Sequence, residues 1–138
     1  MALFLEFLIQ QWILVGALIV VLILLFRHEG KKSGESLSPQ QAVNKVNREQ
    51  AVVVDLRDPE EFGRGHIVDA INIPHNKIND RISELEKFQQ RPLILVCKIG
   101  QHAGAVGKVL HNKGFAEVYR LSGGISEWQS SQLPLVKS

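Results

Sequence analysis

The chain has 138 residues, 45% of them hydrophobic and 22% charged, a globular balance that gives room for one ordinary domain and excludes a disordered chain. A formal net charge of +2 is too small and too scattered to argue for a polyanion partner, so nucleic-acid binding is not expected. The single cysteine, Cys97, excludes an internal disulfide and a cysteine-rich zinc site, leaving it either a small buried hydrophobe or a reactive thiol.

Charge is unevenly placed: Glu6 is the only charged side chain before Arg27. After a short tail over residues 1–6, the uncharged run FLIQQWILVGALIVVLILLF at residues 7–26 predicts one transmembrane helix, which would rise about 30 Å, the thickness of a hydrocarbon core. Trp12 would sit at interfacial depth, and Arg27, Lys31 and Lys32 follow the far end. With no basic residues ahead of the run and no small-residue cleavage site after it, an uncleaved anchor is expected. The positive-inside rule then places the rest of the chain in the cytoplasm. Residues 27–37, rich in Gly, Ser and charge, read as a flexible linker.

Residues 38–134 read as one α/β domain, with residues 135–138 as a C-terminal tail. Ser38, Pro39 and Gln41 form a helix start with N-cap, Pro and capping box. Residues 51–56 are a β-branched run short and continuous enough for a strand buried on both faces. Asp58, Pro59 and Glu61 repeat the cap, Pro and box, opening a short helix over 59–62. Strands are predicted at residues 70–73, 92–97 and 117–121, and helices over 78–89, 101–113 and 125–129. Strands separated by helices imply an open, parallel sheet with right-handed crossovers and helices on both faces. Trp128 is expected in the core.

In open parallel sheets, ligands bind outside the carboxyl ends of the strands. Cys97 ends a predicted strand there, and Lys98, Ile99, Gly100, Gln101 and His102 lead into a helix. Peptide N–H groups, a helix N-terminus and the Lys98 ammonium would all favour a thiolate, the form that reacts. Gly100 supplies the freedom a tight loop needs. His28, His75 and His111 have no partner at metal spacing, so no metal site is expected.

Three stretches, VVVDLRDPEEFGRGHIVDAINIP at 52–74, LVCKIG at 95–100 and LSGGISEW at 121–128, resemble the single-domain rhodanese sulfurtransferases. With the spacing between them they span residues 38–134, and the whole chain resembles membrane-anchored members of the bacterial inner membrane. The resemblance implies a rhodanese-like open parallel sheet and no cofactor. It further implies a persulfide cycle in which Cys97 takes sulfur from a donor such as thiosulfate or a persulfide and passes it to cyanide, a thiol or a carrier protein. Lys98 through His102 would bind the anions of that cycle. The family often has Arg or a hydroxyl residue where this chain has His102, and imidazole is a weaker anion anchor than guanidinium. Phosphatases of the same fold class carry an Arg six residues after the cysteine, where this chain has Ala103. Asp55 and Arg57, in the family's Asp-x-Arg pattern, are expected to pair and order loops, and His66 to be a hydrogen-bonded loop residue. A second reading is a binding module that recruits a partner, such as a membrane protein, at the bilayer.

Overall fold

The computed structural model describes residues 1–137, with the side chains of all of these except 29–33, and divides into two compact units, Met1–Lys31 and Lys32–Ser138.

The first unit holds α1 (Ala2–Gln10) and the greater part of α2 (Trp12–Ser33). The continuous helix expected over residues 7–26 is interrupted: the two helices bend by 70° at a break, and Gln11 takes φ −105° and ψ 18°. The break falls at Gln11, next to Gln10 in the polar pair of an otherwise apolar run, where an opened backbone is least costly to hydrate. No single helix among the described residues is long and apolar enough to cross a membrane, although the bent pair together has the length and composition of a broken span. Phe4, Trp12, Leu18 and Phe26 are among its exposed apolar side chains.

The second unit runs β1 (Glu35–Leu37), α3 (Pro39–Glu49), β2 (Val52–Asp55), α4 (Pro59–Arg64), β3 (Ile71–Asn72), a 3₁₀ turn (His75–Lys77), α5 (Ile78–Arg81), a 3₁₀ helix (Ile82–Phe88), β4 (Leu93–Val96), α6 (Ala103–Asn112), β5 (Val118–Leu121) and α7 (Gly124–Ser130). The strands form one parallel sheet in the order β1-β5-β4-β2-β3, the α/β arrangement expected from alternating elements.

Side chains alternate across this sheet with period two. Val52 and Val54 of β2 share a layer with Leu93, Leu95 and Cys97, while Val53, Ile94 and Val96 enter the opposite layer with Leu121, Ile125 and Trp128. Every residue of β2 and β4 is buried, as continuous apolar runs at the centre of a sheet require. Ser38 caps α3 in a complete capping box, and Trp128 is buried with its indole N–H on the Pro134 carbonyl at 3.1 Å.

Four local expectations are corrected. The segment read as a linker over 27–37 is helical to Ser33 and then supplies an edge strand, with Glu35 opposite Tyr119 and Leu37 opposite Leu121. Gly34, at φ +96°, makes the turn, and Arg120 Nε donates to its carbonyl at 2.9 Å; three residues with one buried Leu carry too little periodicity to announce a strand. The helix expected over 78–89 is mostly 3₁₀, because Ile82, Leu85 and Phe88 recur every third residue, the 3₁₀ period. Asp58 occupies its N-cap position without a side-chain cap bond, so Pro59 carries that helix start. The segment read as a tail over 135–138 is part of the domain through Val136, whose backbone exchanges hydrogen bonds of 2.9 and 2.8 Å with His66.

Candidate active site

β4 delivers Cys97 to the carboxyl edge of the sheet, and the loop Lys98–His102 carries the chain into α6. Cys97 is 2% exposed and packs in the layer that holds Ile73, Ile78, Ala103 and Val106. α7 grips the loop from the opposite layer. Ile125 N–H donates to the Cys97 carbonyl at 2.9 Å and Ser126 N–H to the Lys98 carbonyl at 3.1 Å. A trans peptide points its carbonyl and the following N–H in opposite directions. With these two carbonyls turned toward α7, the N–H groups of Lys98 and Ile99 turn toward the layer that contains the cysteine side chain. Among the described residues, the N–H groups of Lys98 through His102 donate to no backbone carbonyl, which leaves the loop's donors available to an anion. Gly100, at φ +94°, shapes its crest, where Ile99 is 56% exposed.

The residues expected to support this loop are brought together at the end of β2. Arg57 Nε donates to both carboxylate oxygens of Asp55 at 3.0 and 3.1 Å, and Nη2 donates to Oδ2 at 2.8 Å and to the Gly65 carbonyl at 2.7 Å. The Arg57 amide adds a 3.0 Å bond to Oδ1. This buried pair ties β2 to the end of α4. His66 is buried, its Nδ1 donating to the Phe62 carbonyl at 2.8 Å while its ring stacks on Phe62 at 3.8 Å. That is a packing role. A cleft of about 240 Å³ lies beside the α7 grip, with Arg57, Glu61, Arg64 and Lys98 among its walls, so Lys98 faces open solvent near other cations.

His102 stands at the start of α6 with its ring stacked on His75, centroids 3.9 Å apart and planes within 3°. Gln101 and His102 Nε2 are 3.1 Å apart through the Gln101 amide nitrogen. Three participants escaped the sequence reading. His75 gives no signal, because the contact that matters comes from a different strand end. Asn72, whose Nδ2 donates to the carbonyls of Asp55 at 3.1 Å and Arg57 at 2.9 Å, reads in sequence as a strand residue. Gly124 falls within the stretch LSGGISEW, but no local pattern announces its close approach to the Cys97 carbonyl. No group of three or more His, Cys, Asp or Glu among the described residues could hold a metal ion.

Fold and site together define an α/β domain that presents one cysteine, in a loop of free amide hydrogens, at the carboxyl edge of a parallel sheet. Residues 38–131 match the rhodanese-like domain family, and the chain belongs to that family. It is 35% identical over 124 residues to the uncharacterized protein YibN of Escherichia coli (strain K12), covering 89% of this chain and 86% of that one. It is also 36% identical over 95 residues to the thiosulfate sulfurtransferase GlpE of Ectopseudomonas mendocina, covering 69% of this chain and 84% of the relative. Among solved structures, a rhodanese-related protein from Thermoplasma volcanium superposes with a TM-score of 0.68 at 24% identity, over 75% of this chain and 99% of that one.

Proposed function

We propose that the protein is a membrane-anchored sulfurtransferase that carries sulfane sulfur as a persulfide on Cys97. The observation that carries this reading is a lone buried cysteine at the carboxyl end of β4, followed by five residues, Lys98 to His102, whose N–H groups donate to no backbone carbonyl. In the first half-reaction, Cys97 Sγ as thiolate attacks the outer sulfur of a donor such as thiosulfate; the new S–S bond forms, the donor's S–S bond breaks, and sulfite leaves with the electron pair. In the second, an acceptor thiolate attacks the outer sulfur of Cys97-S-S⁻, taking it and returning the Cys97 thiolate. Attacking group, leaving group and persulfide are all anions, and preorganised N–H donors stabilise each without reorganisation. A sulfur added to Cys97 stands about 2 Å further out, which moves the reacting atom from a thiol only 2% exposed toward the mouth where a bulky acceptor can meet it.

Incubating the full-length protein in detergent with thiosulfate or an organic persulfide should add one sulfur, about 32 Da, to Cys97, and a thiol acceptor should remove it. Absence of that mass with every donor overturns the assignment.

The anchor is part of the same proposal. The charge-free run at 7–26, the exposed Leu, Ile, Val and Phe side chains of both helices and the basic residues after it support a segment held in a bilayer with the domain on the cytoplasmic side. Extraction of cell membranes with alkaline carbonate should leave the protein in the pellet; release into the supernatant would count against insertion.

A further inference from the structure

The mouth of the Cys97 loop contains a feature that the persulfide cycle does not by itself require. His75, in the segment after β3, and His102, in the loop after β4, belong to strands separated in the sheet by β2. Their rings nevertheless lie face to face at 3.9 Å and within 3° of parallel. The stack therefore spans the end of β2. It sits on the sulfur side of the sheet: Ile73 and Ile78, which bracket His75, and Ala103, which follows His102, pack in the same layer as Cys97. The His75 main chain is tied to the end of β2, its N–H donating to the Leu56 carbonyl at 3.0 Å.

The Gln101 amide lies against the same ring, its Nε2 3.1 Å from His102 Nε2, so two neighbouring side chains of the loop meet at the stack. The rim of the site is thus a flat, polarisable surface with an exposed Ile99 nearby, and Lys98 is the loop's one lysine or arginine. At the stack a small dianion meets imidazole in place of guanidinium, since Arg57 and Arg64 line the cleft beside α7. A donor with one negative charge on its terminal sulfur and a carbon arm can place that arm against the rings while the N–H groups hold the charge.

We propose that the stacked His75–His102 pair selects organic persulfides over inorganic thiosulfate as the sulfur donor to Cys97, with His75 acting as a positioning residue for His102. This rests on the sulfurtransferase reading. The step balances as follows: the Cys97 thiolate attacks the outer sulfur of R–S–S⁻, the Cys97–sulfur bond forms, the R–S-to-sulfur bond breaks, and R–S⁻ leaves with the electron pair, so no external oxidant or reductant is needed.

The test compares glutathione persulfide with thiosulfate as donor to the full-length protein in detergent, with cyanide as common acceptor. The readout is how substitution changes the ratio of their kcat/KM values. His102→Arg, which installs a guanidinium, should shift the ratio toward thiosulfate by about tenfold. His75→Ala should raise KM for the persulfide by about fivefold with kcat little changed, and His75→Phe, which keeps a flat ring, should restore it. Thermal melts establish that each variant is folded. If both donors load Cys97 and the ratio stays constant across the three folded variants, the pair does not select and the inference falls while the transferase assignment stands. If neither donor loads Cys97 in the unsubstituted protein, the transferase assignment falls and the inference with it.

Discussion

A Cβ added at Gly124 would lie 2.1 Å from the carbonyl oxygen of Cys97 and 2.8 Å from the carbonyl carbon and oxygen of Lys98. The two stretches of backbone touch because α7 opens against the sulfur loop, and glycine is the residue that lets its N–H groups reach the Cys97 and Lys98 carbonyls.

Gly124→Ala therefore meets two obstacles at once. Its φ of +60° is left-handed, which costs a residue with a Cβ of order 1–2 kcal/mol, and the clashing atoms are backbone that cannot swing aside. We expect a loss of stability of about 2–4 kcal/mol and at least a tenfold slower labelling of Cys97 by iodoacetamide or a persulfide donor, because the loop can no longer hold its N–H groups in place. Gly100→Ala is the contrast: its φ is +94° but the nearest atom to a new Cβ is Gly123 N at 3.7 Å, so it should lose only the conformational term. Urea denaturation orders the two variants, and equal losses would show that the close approach carries no weight.

The Asp55–Arg57 pair is predicted to stabilise the fold and to leave the chemistry alone. Asp55 is 1% exposed, and the Arg57 side chain is 8% exposed with Nη2 on Asp55 Oδ2 at 2.8 Å. Removing the carboxylate leaves a nearly buried guanidinium without its counter-ion, a change that costs about 3–5 kcal/mol. Asp55→Ala should lower the urea midpoint accordingly, and Asp55→Asn, which keeps an acceptor for the Arg57 amide, should lower it less. At low temperature, where the variant stays folded, Cys97 should take up sulfur at close to the unsubstituted rate. A selective loss of sulfur uptake without loss of stability would make the pair part of the reaction instead.

What the sequence disclosed and what it hid divide along one physical line. Strongly patterned segments announced themselves: the apolar runs at β2 and β4, the capping box at Ser38, and Cys97 placed where a buried strand gives way to a helix. The pairing of Asp55 with Arg57 was expected from the family's Asp-x-Arg pattern, and the two meet at the end of β2. Long-range juxtapositions did not show. Glu35–Leu37 becomes a strand only because β5 lies beside it, and Val136 becomes part of the domain only because His66 faces it. His75 and His102 meet because sheet order brings two loops to one edge, which no local pattern encodes. A helix was expected over 78–89, yet the three-residue spacing of Ile82, Leu85 and Phe88 belongs to the tighter helix that the chain adopts.

Outside the site, Glu84 offers a check on electrostatics with a defined sign. Arg81 donates to both of its carboxylate oxygens, Nε at 2.6 Å and Nη2 at 3.0 Å, and these bonds hold the Glu84 carboxyl below the ordinary carboxylate range. A carboxylate whose folded pKa is depressed contributes stability above its unfolded pKa of about 4.3 and loses it as the pH falls through the folded value. Glu84→Gln should thus melt slightly below the unsubstituted protein at pH 7, and the gap should close in strong acid. Because the pair lies on the surface, the gap should also shrink in high salt. A gap that widens on acidification would reverse the assigned sign.

Cys97→Ser separates sulfur transfer from partner recruitment, the two roles open to a rhodanese-like domain. Serine nearly matches cysteine in size, and the site is 2% exposed, so the fold should survive with a loss of roughly 1–2 kcal/mol for an added buried hydroxyl. The surface that a partner would touch, including Ile99, Lys98 and the His75–His102 stack, is left in place. The chemistry is not, because a hydroxyl cannot form the persulfide. Purified variant should therefore show a cooperative melt close to that of the unsubstituted protein and no gain of mass with any sulfur donor. Cells carrying it in place of the natural chain should lose whatever the protein supplies. Cells that remain normal with a folded, sulfur-free variant would mean that the loop's sulfur is dispensable and that the domain acts through its surface.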